Sequence, residues 1–115
     1  SLAVEQSPVS IIITDIKGTI EYTNRRFSDV TQFESDEIIG KSPKILKSGF
    51  QDQLFYKKLW ETINSGETWR GEMCNKKKGG DLYWENVVIS PIKNDQNKIS
   101  HFLLVIFDHC HLFCF

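Results

Sequence analysis

The side chains best placed to do chemistry in this sequence are an amide and a carboxylate on neighbouring stretches, Asn75 and Glu85. Each sits in a segment that reads as a β-strand, Trp69–Asn75 and Leu82–Pro91. Between them, 76–81 carries two glycines and an aspartate, the chemistry of a hairpin turn. Side chains alternate across a strand, so Asn75 shares a face with Trp69, Gly71 and Met73, and Glu85 shares one with Tyr83, Val87 and Ile89. A mostly apolar face with one amide and one carboxylate is either a core with two awkward members or the wall of a pocket that orients a small molecule. Other combinations are weaker. Glu72 and Glu85 fall on opposite faces if Asn75 and Glu85 both point inward, which argues against paired-carboxylate catalysis. His109, Cys110, His111 and Cys114 are zinc-ligand types, but a structural site gathers ligands from two segments and these crowd one short tail; no metal site is expected. With no nucleophile–base pair and no phosphate loop in view, the domain is not expected to be an enzyme in its own right.

Those strands must be held by the rest of a 115-residue chain, long enough for one core and not for two. At 40% hydrophobic and 25% charged residues the composition is ordinary for a globular domain, and a net charge of −1 offers no field for nucleic acid or an anionic membrane. The basic run Lys76–Lys78 lies on the predicted turn and reads as solvated. No apolar run nears the ~20 residues of a membrane helix, and Ser1–Gln6 lacks the basic start and apolar centre of a signal peptide. Three irregularly spaced cysteines fit a reducing compartment, so a cytoplasmic location is expected.

In chain order, β-branched Val9–Thr14 and Thr19–Thr23 flank a turn at 15–18 and read as an antiparallel pair. Asn24 is a candidate N-cap for a helix over 25–32, and Ser35 for a second short one ended by Gly40. A semi-ordered connector covers 41–50. A longer helix runs to Asn64 with Phe55, Leu59 and Ile63 at helical spacing and stops at Ser65-Gly66. After the hairpin, the last strand, Lys98–Phe107, is apolar on both faces and so belongs in the middle of a sheet covered on both sides. The class is α+β.

In this order the segments resemble a PAS sensory domain. The likeness is carried by Gln6-Ser7-Pro8, Ile13-Thr14-Asp15, the run 18–24, Phe27, and Gly40-Lys41-Ser42-Pro43 with Ile45–Gly49. It continues in Leu59-Trp60, Trp69–Glu72, 75–80 and Ser90-Pro91-Ile92. The likeness covers Glu5 to Asp108, so 1–108 is taken as the domain and 109–115 as an atypical tail, a truncated or non-native linker. It implies a PAS fold: a five-stranded antiparallel sheet, short helices and one longer helix on one face, and a pocket between. It implies a sensory input or dimerisation module of a histidine kinase or diguanylate cyclase, relaying ligand or redox state through its terminal helices. The partners implied are a second copy, met through the outer face of the sheet and the terminal segments, and an effector domain, with no nucleic acid and no membrane.

Within that family the chain is most similar to flavin-binding redox sensors of nitrogen-fixation regulators. By that similarity Trp60 and Asn75 fall on flavin-contacting positions, while Ile12 stands in place of a serine and Pro43 in place of a glutamate. Proline supplies neither a carboxylate nor its own N–H. Blue-light members carry a reactive cysteine at the position of Pro43, and none of Cys74, Cys110 and Cys114 lies in that connector; cysteinyl photochemistry is not expected. Asn75 and Glu85 align with paired amide positions of those domains, where a carboxylate must be protonated or turned to water. A haem needs an axial histidine in the pocket, and His101 lies on the last strand. The expectation is a domain without a resident cofactor, with FAD or FMN as the alternative. The residues expected to line a pocket or a core are Trp60, Asn75, Glu85, Ile12, Phe27, Val87 and Ile89; in the simplest outcome they form a filled core with Met73.

Overall fold

The structure, a computed structural model, describes residues 2–108. After a short helix α1 (Leu2–Glu5), β1 (Ser10–Asp15) and β2 (Ile20–Thr23) pair antiparallel. Ser10, Ile12 and Thr14 are buried, and Ile11 and Ile13 on the other face half-buried. The turn is made by Asp15, whose Oδ1 accepts from the Lys17 and Thr19 N–H groups, both at 2.9 Å; the Thr19 bond holds this carboxyl below the usual carboxylate range.

Asn24 caps α2 (Arg25–Thr31), and the chain leaves the helix through Gln32 in the left-handed region. The next helix, α3 (Ser35–Ile38), starts one residue earlier than Ser35 predicts as a cap. Glu34 is the cap, its N–H donating to Glu37 Oε2 at 2.8 Å, because the Glu37 carboxylate can fold back where no serine can reach. The connector is more ordered than expected: Pro43–Leu46 forms a 3-10 turn, with Ser42 Oγ accepting from the Lys44 N–H at 3.2 Å and Pro43 fitting its first turn. Asp52 caps α4 (Gln53–Asn64), which buries Leu59 and Ile63, each worth about 1.5–3 kcal/mol.

Three strands follow, β3 (Trp69–Lys76), β4 (Leu82–Lys93) and β5 (Ile99–Asp108). The sheet order is β2-β1-β5-β4-β3 with every neighbour antiparallel, so the strand apolar on both faces does lie at the centre. The β3–β4 hairpin tip docks on the helices: the Lys78 N–H donates to the Thr31 carbonyl at 2.9 Å, and its ammonium pairs with Glu37, whose carboxyl is held below its usual range by that contact. Lys78 is thus docked while still half exposed, and Lys76 and both glycines of the tip are exposed.

Edge strand β3 is closed at one point by a side chain. Gln51 Oε1 accepts from the Cys74 N–H at 2.7 Å, Gln51 Nε2 donates to the Cys74 carbonyl at 3.1 Å, and Ser48 Oγ donates to the same carbonyl at 2.6 Å. The amide of Gln51 stands in for a neighbouring strand. Gln51→Ala is expected to lower stability by about 1–2 kcal/mol and to speed amide exchange at Cys74. Exchange at Cys74 unchanged in the variant would show that the clamp contributes nothing.

Candidate functional site

Between the inner face of the sheet, α4 and the 3-10 turn lies a cavity of about 400 Å³, inside the ~300–1,000 Å³ range of small-molecule sites. The filled core expected from the sequence is therefore incomplete. Leu59 and Ile63 of α4 face the cavity rather than close it. The Trp60 indole lies to the side, where a Cβ on Gly18 would meet its Cη2 at 3.0 Å, and sits edge-on to Phe102 at a ring distance of 5.9 Å.

Of the sequence-derived candidates, Ile12, Trp60, Asn75, Glu85, Val87 and Ile89 line the cavity. Phe27 falls on the core side of that expectation. It is fully buried in the core on α2, which packs over β1, and does not reach the space.

The strand register places the polar pair. Met73 lies opposite Glu85 and Asn75 opposite Tyr83, so Asn75 and Glu85 are diagonal neighbours on one face. Asn75 Nδ2 donates to Glu85 Oε1 at 2.5 Å, with the two residues 7% and 1% exposed. Glu72 pairs with Asn86 and is exposed on the other face, so the two carboxylates do not meet. The wall is otherwise mainly apolar, drawn from β1, β4, β5 and α4.

Sequence reasoning did not identify the mouth. Lys17 from the β1–β2 turn and Lys44 and Lys47 from the 3-10 turn line it together with Ser42 and Pro43. Lys47 Nζ rests 3.9 Å from the centre of the Tyr56 ring, a cation–π contact. Nothing in the chain marks these lysines in advance, because two separate loops bring them together.

Cys74, the cysteine among the described residues, alternates onto the face opposite Asn75 and Met73 and is absent from the lining, which does include Pro43. His101 also lies away from the cavity, its Nε2 3.0 Å from Glu21 Oε1. His109, Cys110, His111 and Cys114 lie outside the described residues; among the described residues no cluster of three metal-ligating side chains occurs.

Comparison with known proteins matches the fold and its sensory context. The "Nitrogen fixation regulatory protein" of Klebsiella oxytoca is 31% identical over 100 residues, covering 87% of this chain and 20% of that protein. The "Blue-light-activated histidine kinase" of Brucella anthropi is 29% identical over 104 residues, covering 88% of this chain and 21% of that protein. The chain thus spans about a fifth of the length of these relatives. A solved LOV domain of a blue-light activated histidine kinase from Erythrobacter litoralis shares the fold, with a TM-score of 0.82 at 21% identity over 90% of this chain and 98% of that one. A family model described as "PAS domain" matches residues 8–109, and this chain belongs to the PAS family of sensory signal-transduction domains.

Proposed function

We propose that the cavity is the sensory site of this domain and that its occupancy is relayed to an effector domain of a larger histidine kinase, diguanylate cyclase or related regulator. The Asn75–Glu85 pair carries the reading. A core built only for stability fills such a position with hydrophobes, whereas an amide and a carboxylate held together on an apolar wall orient a guest. Signal transfer requires a guest with different affinity for two packings of the domain. Central strand β5 offers the route, because Phe102, Leu104 and Ile106 face the cavity while Leu103, Val105 and Phe107 face outward. That outer face, with Ile11, Ile13 and the 41%-exposed Trp84 and Phe107, is apolar and suits a second copy of the chain. The domain then works as a cytoplasmic homodimer, through this face and its terminal segments, without contact to nucleic acid or membrane; no described helix is long and apolar enough to cross one.

The test is an absorption spectrum of the purified protein followed by mass spectrometry of whatever it releases on denaturation. A stoichiometric organic molecule is expected, and restoring it at 100 times its Kd should raise stability by about 2.7 kcal/mol. Protein that releases nothing, and whose melting temperature ignores a metabolite extract, contradicts the reading.

A flavin-binding redox sensor is the second reading, favoured by one observation: Asn75 offers an N–H donor beside the acceptor of Glu85, matching the C=O/N–H edge of an isoalloxazine ring. With FMN or FAD bound, the ring would supply redox or light response. Asn75 and Glu85 would orient its edge, and Trp60 with the apolar wall would exclude water from it. The same spectrum decides, since a flavin band selects this second reading.

A further inference from the structure

Residues 47–52, between the 3-10 turn and α4, run from the cavity to the outer face of the sheet around the edge of β3. At the cavity end Lys47 and Tyr56 both belong to the lining, with the Lys47 ammonium on the Tyr56 ring and Lys47 bridged to Asn75. In the middle, Gly49 at φ +91° bends the chain between Ser48 and Gln51, whose side chains hold the Cys74 backbone. At the far end Phe50 stands edge-on to Trp84, with 4.9 Å between ring centres, and Trp84 lies opposite Cys74 on the outward face. One side chain joins the two ends. Gln51 Nε2 donates to the Tyr56 hydroxyl at 3.0 Å and also to the Cys74 carbonyl. We infer, resting on the sensory-cavity reading, that this strap relays cavity occupancy to the outer face by a path separate from β5. A guest seats the strap, and an empty cavity lets it lift.

Its attachments suit two states. Phe50 is 67% exposed, so its edge-on contact with Trp84 is a light hold. The bonds from Ser48 and Gln51 to Cys74 are side-chain bonds at a sheet edge, which open locally without unzipping the sheet. Lifting uncovers Trp84 and the edge of β3 together, and so changes the face offered to a second copy. A guest packed against Tyr56 and Lys47 fixes the cavity end of the strap, which leaves less ordering to be done at Gln51 and Phe50. The coupling is reciprocal, so a seated strap also favours the guest. Gln51 acts here as a positioning residue, since it is absent from the cavity lining.

The experiment is an NMR titration of the intact domain, isotope-labelled and carrying fluorotryptophan, with 2-naphthol as the probe. Amide shifts at Tyr56 and Ile89 report the probe in the cavity, and Trp84→Phe assigns the Trp84 fluorine signal. Filling the cavity is expected to slow amide exchange at Cys74 about fivefold. It should also move the Trp84 signal away from the position it takes in Phe50→Ala. In Gln51→Ala the Trp84 signal should no longer respond, and the probe should bind about fivefold more weakly although Gln51 lies outside the lining. The titration of unmodified protein stands even if Gln51→Ala fails to fold. A probe that shifts Tyr56 and Ile89 but changes neither Cys74 exchange nor the Trp84 signal overturns the relay while leaving the cavity a ligand site. So does a Gln51→Ala variant, folded by far-UV circular dichroism, that keeps both the affinity and the Trp84 response. No shift at Tyr56 or Ile89, together with no molecule released from the purified protein, removes the sensory-cavity reading itself.

Discussion

Replacing Asn24 with alanine is expected to cost about 3–4 kcal/mol, a large share of the ~5–15 kcal/mol that separates a typical folded domain from its unfolded chain. Asn24 is fully buried and makes four hydrogen bonds to backbone. Its Oδ1 accepts from Ile11 and Phe27 N–H groups at 3.0 and 3.1 Å, and its Nδ2 donates to Val4 and Val9 carbonyls at 3.0 and 2.9 Å. The side chain therefore joins α1, β1 and the first turn of α2. An ordinary N-cap loss is worth only about 0.5–2 kcal/mol; the excess comes from stranding backbone groups on three segments. Urea denaturation with an unchanged m-value is the measurement. A loss near 1 kcal/mol would reduce Asn24 to a simple cap.

The second large effect is expected at the contact between Gly18 and Trp60. Gly18 adopts φ +90°, and a Cβ there would lie 3.0 Å from Trp60 Cη2 and 3.2 Å from Cζ2. Gly18→Val should cost about 2–4 kcal/mol through backbone strain and crowding together. Because the displaced indole lines the cavity, guest binding should fall as well. A double-mutant cycle separates the causes. In a Trp60→Ala background the crowding part should disappear and the backbone part should remain. Trp60→Ala alone should cost about 2–3 kcal/mol, below the ~3–5 kcal/mol of a fully enclosed aromatic, since open space already adjoins the ring. A Gly18→Val cost unchanged by removal of the indole would assign the whole effect to the backbone.

The order of elements was legible because its signals are local. Alternation marked β3 and β4, turn residues marked the hairpin, and Asn24 announced a helix start. The pairing of Asn75 with Glu85 was half legible: alternation gives each its face, but only the register opposite Met73 and Tyr83 makes them diagonal neighbours. Ser35 misled because a serine before acidic residues resembles a cap, while Glu34 and Glu37 satisfy the same backbone groups reciprocally. Phe27 was legible as a buried ring but not as core or lining, because burial alone does not say which side of a helix layer a ring fills.

The sequence by itself determined the α+β class, the central place of β5 and the strand neighbours with which Asn75 and Glu85 each share a face, since each follows from periodicity over a few residues. Only the tertiary structure decided that the space beside them stays open, that Lys17, Lys44 and Lys47 meet at its mouth, and that Gln51 closes the edge of β3. These depend on how far α4 and the 3-10 turn stand from the sheet. That distance is set by the summed volumes of side chains from segments remote in sequence, and no local pattern encodes such a sum.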